Sequence, residues 1–190
     1  FTGEIIAEIY LPDPENPFGP EEINYYKPIQ LKYFNQHIFI SCSAGKFYNG
    51  QTEVNIPGKL VVLNSEDLSI ITVYEFSWTS SPWHLSIDES TSEIFIALAG
   101  DMGNMGTSGV ASLSFLENEI SHNWTKTGLE FSTCHGIAIS QNSNQVYLSG
   151  RGNGILHTID RNDGSILQTI AINSMMDGMM GAMLGGIAVK

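Results

Sequence analysis

A chain of 190 residues, 42% hydrophobic and only 15% charged, is globular rather than disordered and long enough to bury a sizeable core. Eight Lys+Arg against 20 Asp+Glu leave a net charge of −12. That excludes a nucleic-acid backbone as partner, which requires clustered cations, and disfavours docking on anionic lipid. No run of about 18 apolar residues is present, so no membrane-spanning helix is expected, and Phe1-Thr2-Gly3-Glu4 carries no basic signal segment.

In chain order, Gly3-Glu4-Ile5-Ile6-Ala7-Glu8-Ile9 reads as a β-strand, so residues 1–10 close one repeating unit. Residues 11–28 form an acidic insertion with Pro12, Pro14, Pro17, Pro20 and Pro28, longer than an ordinary connection. Four strand-like runs follow over about 29–76, at 29–34, 37–42, 59–64 and 69–76. Four more occupy 83–125 and another four 135–172, separated by Asn, Asp, Gly and Ser turns of which Asn162-Asp163-Gly164 is the strongest hairpin signal. A Met/Gly-rich loop spans 173–185, and residues 186–190 overlay the opening of the preceding unit.

The units are repeats. Leu85-Ser86-Ile87-Asp88 lies over Ile137-Ala138-Ile139-Ser140 at an offset of 52 residues (137 − 85), and the same offset sets Ile94-Phe95-Ile96-Ala97 on Val146-Tyr147-Leu148-Ser149. Four short strands recurring about every 45–50 residues, with no helical spacing of apolar residues, describe the blades of a β-propeller. The fold class is therefore all-β, with four-stranded antiparallel blades: three complete, plus parts of two others, in a larger ring of about seven. Unstacked outer blades would expose apolar faces, which the rest of a longer polypeptide or another protein is expected to cover.

The third unit carries a specific pattern: Gly136-Ile137-Ala138-Ile139-Ser140, Gln145-Val146-Tyr147-Leu148-Ser149-Gly150, His157-Thr158-Ile159-Asp160 and Gly164-Ser165-Ile166-Leu167. It resembles the YVTN-type (YncE-like) β-propeller repeat, most closely over 135–172. The sequence departs from that family at Gln141-Asn142-Ser143-Asn144, where Pro-Asp-Gly is usual. The resemblance implies a periplasmic or extracellular binding platform. It supplies no catalytic residue, since the motif is structural.

In a propeller the first strands line the channel. The second-to-third and fourth-to-first connections share one face. All seven methionines fall in such connections: Met102 and Met105 in one, and Met175, Met176, Met179, Met180 and Met183 in the other. His84, His135 and Cys134 enter first strands on the same face, and Cys42 ends a second strand there. Two readings follow. Methionine adapts its shape to whatever it meets, so the face suits a docking surface for a protein. Thioether, thiolate and imidazole together suit Cu(I), so Met102, Met105, Met175, Met176, Met179, Met180, Cys134, His84 and His135 form the alternative ligand pool for a copper or redox-associated propeller.

Catalysis finds little support. There is no Gly-x-Ser-x-Gly elbow, and Asp13, Glu15, Glu21 and Glu22 lack the spacing of a calcium loop. Gly150-Arg151-Gly152-Asn153-Gly154 joins two strands and reads as a turn rather than a phosphate cradle. A hydrolase or lactonase would need carboxylates or histidines converging on the channel, and none assemble from the sequence. His122 and His157 read as structural or exposed, and His37 has no evident partner. The two cysteines are too far apart in sequence to suggest a metal or redox motif. Asn123-Trp124-Thr125 is a single glycosylation sequon. The leading expectation is a non-enzymatic scaffold that binds protein through its Met/Gly-rich face.

Overall fold

A computed structural model of the chain describes residue 7 and residues 26–49, 52–172 and 185–188. The strand expected at 1–10, nearly all of the acidic insertion, and the loop holding Met175, Met176, Met179, Met180 and Met183 lie outside these residues.

Period-2 alternation and tight turns build three four-stranded antiparallel sheets. The first runs β1 (Pro28–Phe34), β2 (His37–Cys42), β5 (Lys59–Asn64) and β6 (Ile70–Glu75). The second is β7 (Pro82–Asp88), β8 (Glu93–Leu98), β9 (Gly109–Leu116) and β10 (Glu119–Thr127). The third is β11 (Cys134–Ile139), β12 (Gln145–Gly150), β13 (Ile155–Asp160) and β14 (Ile166–Ala171). The second and third sheets are meanders whose sequence neighbours pair, the first is a meander interrupted between β2 and β5, and stacked side by side the three make a partial β-propeller. The pattern missed one element. Between β2 and β5 lies a separate hairpin, β3 (Gly45–Asn49) and β4 (Thr52–Ile56). The segment at 185–188 forms no strand ladder, and its backbone runs against Gly136 of β11.

Turn chemistry sets the hairpin registers. Asn35 and Gln36, at φ 48° and 64°, and Glu117 and Asn118, at 52° and 67°, all adopt left-handed backbone, the conformation two-residue hairpins need to match strand twist. In the β13–β14 turn Gly164 has φ 74°, and a Cβ there would sit 2.6 Å from the Trp124 ring. Only glycine satisfies both conditions.

Backbone hydrogen bonds sort the connections into two faces. On one, Ala99 and Gly100 donate to Ser81 and Ser80, and Arg151 and Gly152 donate to Thr133 and Ser132. On the other, Ser65 donates to Gln36, Phe115 to Ser92 and Arg161 to Asn144. The first set joins second-to-third connections with fourth-to-first ones, and we call it the mouth face. The second joins only short hairpin turns.

Apolar side chains pack between the blades. Phe39, Leu60 and Val62 of the first blade meet Leu85, Ile96 and Leu113 of the second. Phe95, Ala97 and Val110 of the second meet Ile137, Val146 and Leu148 of the third. The outer face of the first blade buries Ile40, Cys42, Val61 and Leu63 under Tyr26. On the same face, Leu31 and Tyr33 remain 62% and 63% exposed.

A candidate binding site at the channel mouth

Each first strand enters its blade through a register shift: between Pro28 and Gln30 in β1, between Pro82 and Leu85 in β7, and between Cys134 and Gly136 in β11. The shift leaves Ile29, the pair Trp83 and His84, and His135 outside the regular ladder. A bulge of this kind re-aims side chains, and such bulges concentrate at rims and functional sites. Both histidines singled out in the sequence are bulge residues of neighbouring blades.

The rings of Trp83 and His135 stack, centroids 4.2 Å apart and planes 19° from parallel. The Trp83 carbonyl accepts from the Ser41 hydroxyl of the first blade, so one short segment ties three blades together. Burial, with Arg151 and His84 adding positive charge, lowers the His135 pKa to about 4. Burial and Lys32 lower that of His84 as well. Both imidazoles are therefore neutral at pH 7, and the site around them is cationic.

The other predicted ligands are placed differently. Cys134 is fully buried; burial raises its pKa to about 12 against the lowering effect of Ser108 and Ser132, so it stays a thiol. Its backbone N–H donates to Ser108 Oγ at 2.9 Å, and that hydroxyl donates to the Leu98 carbonyl at 3.0 Å, stitching the second blade to the third. Cys42 is equally buried, with its pKa likewise raised by burial to about 12. Met102 is 90% exposed and lines a cleft of about 180 Å³ with Asp101, Ser108 and Thr133. Met105 opens a short 3₁₀ turn, Met105–Thr107. Among the described residues no group of three His, Cys, Asp or Glu side chains is gathered as a metal would require.

His37 does have partners: Nδ1 lies 2.5 Å from the Asn35 carbonyl, Nε2 lies 3.2 Å from Asn118 Oδ1, and the ring sits edge-on to Phe115 at 4.9 Å. The sequon residue Asn123 spends its amide nitrogen on Ser112 and Ser114 hydroxyls at 3.0 and 2.9 Å. His157 is buried between the second and third blades, bonded through Nδ1 to Thr169 at 3.1 Å.

The channel side holds an open cavity of about 350 Å³ between β1, β7 and β11, lined also by 186–188. Gln30, Lys32, His84, Ser86 and Gln141 supply its polar lining. Sequence reasoning passed over all of these except His84. The available signal was Gln30 and Lys32, two residues apart on a channel strand and therefore on one side of it.

No protein-family model and no curated protein matches this chain. Among solved structures, it is similar to the β-propeller domain of Cps50 (Swd1) from Myceliophteria thermophila, with a TM-score of 0.57 and 12% identity over 86% of this chain and 44% of that one. The chain thus spans less than half the length of that domain. Further similarities are to hydrazine synthase of Kuenenia stuttgartiensis, with a TM-score of 0.48, 8% identity, and coverage of 66% of this chain and 37% of that one. BamB from Moraxella catarrhalis follows with 0.41 and 13%, covering 80% and 51%.

Proposed function

We propose that the chain is part of a non-enzymatic, extracytoplasmic propeller of YVTN type that binds protein through its mouth face. The contrast between the two faces carries the reading. Two-residue and other short turns close the hairpin side, whereas the mouth face presents the β3–β4 hairpin, the glycine-rich loop at 99–108 and a cleft beside Met102. An exposed, flexible thioether next to a concave surface suits a docked side chain of variable shape. The exposed Leu31 and Tyr33 fit a further blade, from the same polypeptide or from a partner.

The test is site-specific photocrosslinking with probes at positions 102 and 118, on the mouth and hairpin faces. A discrete protein adduct from position 102 alone supports the reading; equal adducts from both faces sink it.

A second reading, a copper site using Met102, Met105, Cys134, His84 and His135 with methionines of the 173–185 loop, draws support from one observation. His84 and His135 are bulge residues of neighbouring first strands, and burial holds both imidazoles toward the neutral form that a metal requires. The positive charge of Lys32 and Arg151 opposes a cation there. Native mass spectrometry with added Cu(I) decides it: stoichiometric copper lost in His135→Gln supports the site, and a metal-free species removes it.

A further inference from the structure

We propose that the channel-side cavity between β1, β7 and β11 is a binding site for a small oxyanion, a carboxylate or a phosphate, with Lys32 as its charge partner and the Gln30 amide and His84 ring as hydrogen-bond donors.

The lining argues this first. In a chain with 20 acidic and 8 basic residues, none of the described residues lining the cavity is a carboxylate, and Lys32 stands in it. Lys59 pairs with Glu75 at 2.8 Å, Lys46 with Glu53 at 3.4 Å, and Arg161 with Asp88 and Glu93, whereas Lys126 and Arg151 stand outside any such pair with a described carboxylate, as Lys32 does. Lys32 makes no ion pair with any described carboxylate.

Donor geometry points the same way. Gln30 Oε1 accepts the Leu85 backbone N–H at 2.7 Å. That bond decides which end of the amide is oxygen, so the nitrogen is the end left over. It has no partner among the described residues, and neither do the ring nitrogens of His84 nor the side chains of Ser86 and Gln141. Five polar side chains thus converge on one space while making a single protein hydrogen bond between them. Gln30, His84 and Ser86 are half-buried, where polar groups are ordinarily satisfied, while Lys32 and Gln141 are exposed; an anion is the ligand that would satisfy the ammonium and the half-buried amide together. The bulge in β7 brings His84 to the rim of the same space. Burial is the main cause of the lowered pKa of His84, and the positive charge of Lys32, which adds to it, is the charge an anion would meet.

A volume of about 350 Å³ lies at the small end of ligand sites, which suits a compact anion and not a polymer. This inference does not depend on the mouth face docking a protein.

The experiment is isothermal titration calorimetry of the full chain with inorganic phosphate and, separately, succinate, at constant ionic strength set with chloride. Saturable one-site binding of at least one anion is expected, weakened tenfold or more in Lys32→Gln and measurably in Gln30→Leu. Lys126→Gln, on β10 outside the channel, should bind as the parent does. The two titrations separate a phosphate site from a carboxylate site. Thermal melts establish that each variant is folded; if Lys32→Gln fails to fold, Gln30→Leu carries the test. Absence of saturable binding for both anions, or equal loss in Lys126→Gln, overturns the proposal.

Discussion

The two inter-blade interfaces are built differently. Between the first and second blades the contact is aromatic: Phe39 and Phe115 meet edge-on with centroids 5.1 Å apart, and His37 packs on both. The ion pair reaching across is Lys46 to Asp101, at 3.8 Å with the lysine 35% exposed. Between the second and third blades the apolar contact is joined by a shielded ionic latch. Arg161, in the turn after β13, reaches back to Asp88 and to Glu93 at 2.7 Å, donates to Thr91 at 3.0 Å, and lies over the Phe95 ring. Its side chain is 14% exposed and that of Asp88 only 7%. One interface therefore depends mainly on burial, with only an exposed ion pair across it, while the other also holds a shielded one. Stacked blades can reach similar packing with different sensitivity to solution conditions.

The largest effect should come from emptying the aromatic interface. Phe39→Ala is expected to lower unfolding free energy by about 4 kcal/mol, since Phe39 is fully buried and its loss leaves a cavity. Urea denaturation would show it as a lower midpoint at every pH. A loss under about 1 kcal/mol would mean the first two blades are not packed as described.

Breaking the latch comes next. Arg161→Met strands two carboxylates and should cost about 2–3 kcal/mol near neutral pH, somewhat less than removal of one partner from a fully buried pair. Much of the loss should return in the triple variant in which Asp88→Asn and Glu93→Gln are added, because no unpaired charge then remains. Without recovery, the latch contributes packing rather than charge.

Acid should separate the interfaces further. Burial pushes the Asp88 carboxyl up, but the Ser90 hydroxyl and N–H and the Arg161 guanidinium together bring it down to about 2. Its folded pKa thus lies below the ordinary 3.8, so its stabilisation is intact above about pH 4 and is lost as pH falls toward 2. His135 acts in a higher window. Its folded pKa of about 4 lies below the ordinary 6.5, so folding favours the neutral ring and stability is lost as pH falls from 6.5 toward 4. Denaturation midpoints measured from pH 8 to 2 should fall in two stages. His135→Gln should reduce the upper stage, to which His84 and His157, also lowered by burial, contribute the remainder, and Arg161→Met should reduce the lower, while Phe39→Ala leaves both. A single stage untouched by either variant would contradict this assignment.

The smallest effect is reserved for the exposed pair. Lys46→Ala should change stability by no more than about 0.5 kcal/mol, as surface ion pairs usually do. A larger loss in thermal melts would show that the cation held 5.2 Å over the Trp78 ring matters more than its charge pair.

Much of the architecture was legible because blades are local objects. Alternating apolar residues, Asn-Asp-Gly turns and an offset of 52 residues describe strands that pair with their sequence neighbours, and such pairing needs no distant information. The β3–β4 hairpin escaped because Gly45-Lys46-Phe47-Tyr48-Asn49 and Thr52-Glu53-Val54-Asn55-Ile56 lie outside the repeat. Of the candidate site, His84 and His135 were found from their register in the repeat. Their placement in bulges was not, since a bulge changes ladder geometry without a composition signal at these positions.

By itself, then, the sequence determined the four-strand blade, its hairpin turns and its alternating faces. Tertiary structure alone decided which side chains from different blades meet: Arg161 with Asp88 and Glu93, Trp83 with His135, and Gln30 and Lys32 with His84 across the channel. The physical reason is distance along the chain. Backbone pairing and strand alternation act between near neighbours, whereas charge, ring stacking and cavity shape depend on residues tens of positions apart that only blade stacking brings together.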